Sequence, residues 1–174
     1  MNETAERNPT STSVRKRSPE NEFAVLYDSN TLKALGGDAV VGTVGYTRAP
    51  FNYVMTTAEG RDFVQKFRAR YGEYPSDEAT MSYDCVTTWA AAVEKAKSTN
   101  ADDVMRALES GEFTSARGKF RFGKFDHMAD MPVYLGRVAP SQEFGQPVLN
   151  IEEVVPGNVA RPTEVVVMQS RQGG

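Results

Sequence analysis

Between Phe63 and Tyr71 the apolar residues Phe63, Val64, Phe67 and Tyr71 fall at i, i+1, i+4 and i+8. That spacing places them on one face of a helix. Thr56 and Glu59 fit a capping box ahead of it. Gly72 can take the left-handed conformation that ends a helix, and Pro75 cannot continue one. Ser76 or Asp77 can then cap a longer helix running to about Lys97, with Cys85, Val86, Trp89, Val93 and Ala96 on its apolar side. Asn100, with Asp102 and Asp103, opens a third helix whose apolar face is Val104, Met105 and Leu108 and which Gly111 closes.

The period changes on either side of these helices. Upstream, Phe23 to Tyr27 is short and apolar, and Asp28-Ser29-Asn30 caps a brief helix holding Leu32 and Leu35, ended by Gly36-Gly37. Ala39 to Tyr46 is β-branched and reads as a strand buried on both faces, which Arg48-Ala49-Pro50 breaks. Downstream, Lys119 to Phe122 alternates as a half-exposed strand does. Asp126 to Asp130 reads as a turn and Pro132 to Val138 as a strand. Two edge strands, Val148 to Val155 and Glu164 to Met168, follow among Pro140, Pro147, Pro156 and Pro162.

Composition adds bounds. With 174 residues, 40% apolar and 25% charged, the chain can bury one α/β core. Residues 1–22 hold only Met1, Ala5 and Val14 as apolar members, too few to offset chain ordering, so a disordered lead is expected there. The net charge of −3 gives no electrostatic reason for a nucleic-acid partner. A single cysteine, Cys85, excludes an internal disulfide, and its apolar neighbours imply a small buried residue. No stretch reaches the ~18 apolar residues of a membrane span. No apolar region follows the basic cluster Arg15-Lys16-Arg17, so no export signal is expected and the chain would be cytoplasmic if Met1 is the true start.

Chemistry is sparse. His127 is the only histidine, and there is no Gly-x-Ser-x-Gly elbow and no phosphate-binding Gly-x-x-x-x-Gly-Lys-Ser/Thr loop. Asp126, His127 and Asp130 form the best metal-ligating set, against a plainer reading as a turn in which Asp126 accepts backbone amides and His127 caps the strand. No catalytic residue, metal or cofactor is expected. The start of the long helix offers more. There Glu78, Thr80, Ser82 and Tyr83 could set polar groups and an aromatic wall at a cleft rim. The alternative is that Tyr83 packs on Phe67 or Tyr71.

Taken in order, Ala39 to Thr43, Phe63 to Pro75, Tyr83-Asp84, Ala90 to Ala96, Phe113, Gly118 to Phe122, Asp126-His127, Val133 to Val138, Val155-Pro156-Gly157 and Arg161-Pro162 carry a resemblance. The chain resembles the C-terminal half of a type I periplasmic binding protein, most similar to the branched-chain amino acid and amide/urea receptors of ABC importers. The resemblance implies a partial two-lobed α/β fold with three-layer αβα elements from both lobes. Residues 23–163 would be that half and 164–174 a tail. Val40 to Tyr46 would be a second-lobe strand, with the chain crossing near Thr47 to Pro50 into first-lobe helices and returning after Phe122. Solute contacts would come from Tyr46, Glu78, Thr80, Ser82 and Tyr83. Leucine-type receptors often have an aromatic where this chain has Glu78, so leucine specificity does not carry over. The implied function is the solute-binding component of an importer for amino acids or amides/urea, in truncated or split form. Its partners would be a small solute, ABC permease subunits and a missing N-terminal half, and its compartment the periplasm or the cell exterior. The alternative is an α/β ligand-sensing or protein-interaction module.

Overall fold

The computed structural model describes residues 25–39, 41–160 and 162–172. The disordered lead expected over 1–22, and Val40 and Arg161, lie outside them. Strand β1 (Val25–Leu26) leads into helix α1 (Ser29–Leu35), whose Asp28 side chain accepts the amides of Asn30 and Thr31. A 3₁₀ turn at Gly36–Asp38 follows, then β2 (Val44–Thr47) and the single-turn α2 (Phe51–Val54). Three longer helices come next: α3 (Ala58–Tyr71), α4 (Asp77–Ala96) and α5 (Ala101–Glu109). After the hairpin β3 (Glu112–Ser115) and β4 (Gly118–Arg121), the chain forms β5 (Val133–Ala139), β6 (Val148–Val155), α6 (Gly157–Ala160) and α7 (Glu164–Gln172).

The elements group into two bodies. One is a four-stranded sheet in the order β1-β2-β5-β6, parallel between β1 and β2 and antiparallel thereafter. Helix α1 is the crossover that a parallel pair requires, and its Leu32 packs with Ala39, Val138 and Leu149 on the sheet. The other body sets α4 and α5 against the β3–β4 hairpin, around Ala92, Val104, Ala107, Phe113 and Phe120. A third cluster joins the two: Phe51 and Val54 of α2, Phe63 and Val64 of α3, Ala116 of the hairpin turn and Val148 of β6. At its centre the Phe51 ring stacks on Tyr74 at 4.3 Å and meets Phe144 edge-on at 5.2 Å.

Local signals placed most helix ends. Ser76 caps α4 through the Ala79 amide, Asn100 caps α5 through that of Asp102, and Gly72 ends α3 at φ 75°. Other expectations need correction. The capping residue of α3 is Thr57, bonded to the Gly60 amide, and not Thr56. The expected strand over Ala39 to Tyr46 begins only at Val44, because residues 41 and 42 form a turn. It is not buried on both faces: Gly45 and Thr47 are buried, Val44 and Tyr46 only half so. Glu164 to Met168 is the start of α7 and not an edge strand. In α5 the inward residues are Val104 and Ala107, leaving Met105 exposed.

The largest correction concerns α4. Its buried side is Asp77, Thr80, Asp84, Thr88 and Ala92. Of the stripe read as its core face, the first part points outward, with Val86 65% exposed, Trp89 55% and Cys85 exposed as well, while Val93 and Ala96 are half-buried and pack on the α4–α5 core as expected. Both stripes obey a helical period, and the polar one meets the rest of the fold. Truncating Phe51 to alanine should therefore cost about 3–5 kcal/mol in chemical denaturation, whereas Val86→Ser should stay within about 0.5 kcal/mol. Equal losses from the two variants would contradict this assignment of inside and outside.

Candidate functional site

The two bodies meet where β2 ends, β5 begins and α4 starts. Thr47, the last residue of β2, lies opposite Tyr134 of β5. Ser76 caps α4, which aims the next side chain, Asp77, back into the junction, where it is only 2% exposed. Its Oδ1 accepts the Ser29 amide at 3.1 Å and the Ser29 hydroxyl at 2.9 Å. Its Oδ2 accepts the Thr47 hydroxyl and the Ala49 amide, the latter at 3.0 Å. Four donors from α1, β2 and the following linker thus match one buried carboxylate, the condition for keeping it there.

Two helical turns on, Asp84 faces the same way and is also buried. It accepts the Ala116 amide and Arg117 Nε, each at 2.8 Å. The Arg117 guanidinium, itself nearly buried, donates from Nη1 to the Arg48 carbonyl at 3.2 Å. Tyr134 stands beside this group, 2% exposed, its ring 4.9 Å from that of Tyr53. Burial pushes its phenol up to about 12, against a smaller downward pull from Arg117. Sequence reading took Asp77 only as a cap, named Asp84 only among the residues carrying the resemblance and Thr47 only at the crossing, and gave Arg117 and Tyr134 no role. The available signal was the spacing of Asp77, Thr80, Asp84 and Thr88, a polar helical stripe opposite an apolar one.

The residues singled out beforehand are dispersed over this region. Glu78 and Ser82 lie exposed one turn apart on α4. Tyr83, 40% exposed, stacks on Phe63 at 4.4 Å, a packing role on a different ring from the Phe67 or Tyr71 expected. Thr80 is fully buried, and its hydroxyl donates to the Ser76 carbonyl at 3.0 Å. Tyr46 sits half-buried in the sheet between Leu26 and Leu135. Its side chain leaves the strand on the face opposite Thr47. At the Asp126 turn, Asp126 accepts the Met128 amide at 3.0 Å, as the turn reading expected, while His127 Nδ1 lies 3.1 Å from Glu109 of α5. Among the described residues no cluster of three potential metal ligands forms.

A family model described as periplasmic binding protein matches residues 21–143. The chain belongs to the periplasmic binding protein family. That family consists of solute-binding proteins and not enzymes, and its members are periplasmic. Among solved structures, the amino acid ABC transporter substrate-binding protein of Pseudomonas fluorescens Pf-5 superposes with a TM-score of 0.70 at 15% identity, over 83% of this chain and 39% of that one. A periplasmic binding protein of Burkholderia mallei gives 0.67 at 24% identity, over 79% and 36%. A solute-binding protein of an ABC transporter from Rhodopseudomonas palustris BisB5, solved with 3,4-dihydroxybenzoic acid, gives 0.65 at 19% identity, over 75% and 35%. The chain thus spans little more than a third of the length of these relatives, and the partial fold expected from its sequence is the one present. No curated protein matches the sequence significantly. Among the described residues no helix is long and apolar enough to cross a membrane.

Two outcomes follow from the junction. Asp77→Ala leaves four buried donors unmatched and should cost on the order of 3 kcal/mol in urea unfolding; a loss below about 1 kcal/mol would show that the network carries little. Tyr134, raised in the fold, ionises first in the unfolded chain. Stability is therefore full below about pH 10 and falls as pH rises toward about 12. In an absorbance titration one of the seven tyrosines should ionise last, and should join the others in Tyr134→Phe controls only by its disappearance.

Proposed function

We propose that this chain is the solute-binding component, in partial form, of an ABC importer receptor for amino acids or amides, working with permease subunits in the periplasm. The observation that carries the reading is the family match over residues 21–143. Residues 23–163 are the receptor portion and 164–174 a tail. In the complete receptor two bodies close over a small solute, the hinge-type motion that clamps ligands between domains.

The contribution of this chain to the grip is the start of α4, where Glu78 and Ser82 offer exposed polar groups and Tyr83 a partly exposed ring. Thr80 holds the turn that carries them, and Tyr46 adds a half-buried phenol from the sheet. The similar solved structures include an amino acid ABC transporter substrate-binding protein and a solute-binding protein holding 3,4-dihydroxybenzoic acid. Their shared feature is a small solute with a carboxylate, which fits donors such as Ser82 and Tyr83 better than the Glu78 carboxylate. Glu78 instead suits the amino or amide nitrogen of a solute.

One observation favours a second reading, an α/β protein-interaction or ligand-sensing module: the exposed apolar stripe of α4 around Val86 and Trp89. Uptake separates the two. Deleting the gene in its native host should lower uptake of one radiolabelled amino acid or amide several-fold at micromolar supply. Unchanged uptake across the panel would sink the importer reading and leave the module. Calorimetry of the 174-residue chain with leucine, urea and benzoate should show no saturable binding at micromolar concentration, because only part of the clamp is present. Tight binding by this chain alone would show that one part suffices.

A further inference from the structure

Helix α7 stands on the protein with little beneath it. Val165 is 64% exposed, Val166 53% and Met168 43%, while Val167 is half-buried. None of its residues joins the three apolar clusters that hold the rest of the fold. Its hydrogen bonds are local, as with the Val167 amide to the Thr163 carbonyl and the Ser170 hydroxyl to the Val167 carbonyl.

Composition and conformation disagree in this segment. Three consecutive β-branched residues lose side-chain freedom in a helix and fit a pleated surface better. The helix has nine residues, and isolated helices shorter than about 12–15 residues are marginal in water. Tertiary packing of an apolar face is what sustains a short helix in a protein. Here Val165, Val166 and Met168 are turned to solvent instead.

The segment is also bounded as a strand would be. Pro162 lacks a ladder donor and marks one end. From Thr163 to Gln169 there is one charge, Glu164, and no proline or glycine. A short run of high β propensity, low charge and no proline is the pattern by which extended segments of separate chains pair. Glu164 decides the register. Parallel in-register pairing would set two carboxylates directly opposite each other, where like charges repel. Antiparallel pairing centred on Val166 sets Glu164 against the second copy's Met168 and Val165 against its Val167, and leaves an uncharged middle.

We propose that residues 163–169 are a two-state segment, helical in the single chain and extended when paired antiparallel with the same residues of a second copy. The family match ends at residue 143, so the segment lies outside it and the proposal does not rest on the importer reading. The exposed stripe of α4 around Val86 is a separate surface and supplies the control.

The test uses the 174-residue chain with Cys85→Ser, which removes the exposed native thiol. Sedimentation and infrared amide I spectra over rising concentration should show dimers and extended-strand absorbance appearing together. Val166→Lys sets two ammonium groups opposite each other and should weaken dimerisation roughly tenfold or more. The urea midpoint of the single chain should not move, because Val166 is exposed. Under mild oxidation Val166→Cys should form a disulfide with its own copy, whereas Glu164→Cys should crosslink only when mixed with Met168→Cys. A chain that stays monomeric throughout, or dimers that keep their helical absorbance, would overturn the proposal. So would dimers lost with Val86→Asp but kept with Val166→Lys, or Glu164→Cys crosslinking to itself.

Discussion

The Asp77 carboxylate is the constraint on which the arrangement of the two bodies depends. A carboxylate removed from water carries a penalty of several kcal/mol unless its lone pairs are matched. Here two backbone amides and two hydroxyls match them, from residues 28 to 48 positions away in sequence. Removing one donor leaves the others in place, but shifting α4 along the sheet by one residue would unmatch them together. The interaction therefore selects one register between helix and sheet. It does so with neutral donors, so it involves no second desolvated charge.

Asp84 solves the same problem in a different manner. Its partner is a cation, Arg117, at the tip of the β3–β4 hairpin, and that cation is shared with the Arg48 carbonyl. A buried pair of this kind adds specificity more than net stability. The hairpin tip must sit over the β2–α2 linker for both ends of the guanidinium to be satisfied. Tyr134 then closes the space beneath, its hydroxyl kept neutral by burial. Apolar packing of Phe51, Val64 and Val148 supplies the bulk of the stabilisation at this junction, and the polar groups fix which surfaces meet.

The same distinction explains what could be read from the amino-acid order. Helix ends were legible because their causes are local: Ser76, Asn100 and Gly72 act within four residues of themselves. The neighbouring threonines at 56 and 57 are equivalent to a capping rule, and packing chose the second. Val165-Val166-Val167 favours a strand by propensity yet lies in α7, since β propensity reflects fit to a pleated, half-buried surface more than backbone preference. The face of α4 was illegible for a deeper reason. Periodicity identifies stripes, and this helix has two, one apolar and one of Asp and Thr. Which is inward depends on Ser29, Thr47, Ala49, Ala116 and Arg117, and no local rule reports their positions. The proposed solute residues suffered likewise: the exposure of Glu78 and Ser82 follows from that same choice of face, as does the turning of Thr80 into the interior.

The inverted face of α4 also bears on the receptor reading. A helix anchored by buried carboxylates on one side and carrying Val86 and Trp89 on the other has the character of a middle layer, with something to meet on both sides. The described residues supply one of those sides. Relatives whose chains run to nearly three times the matched length have ample polypeptide to supply the other. An isolated interaction module would also present such a stripe, but it would have no need for three consecutive linker residues to be gripped from α4. The junction built by Asp77, Asp84 and Arg117 holds that linker to one face of α4 and leaves the face of Val86 and Trp89 open.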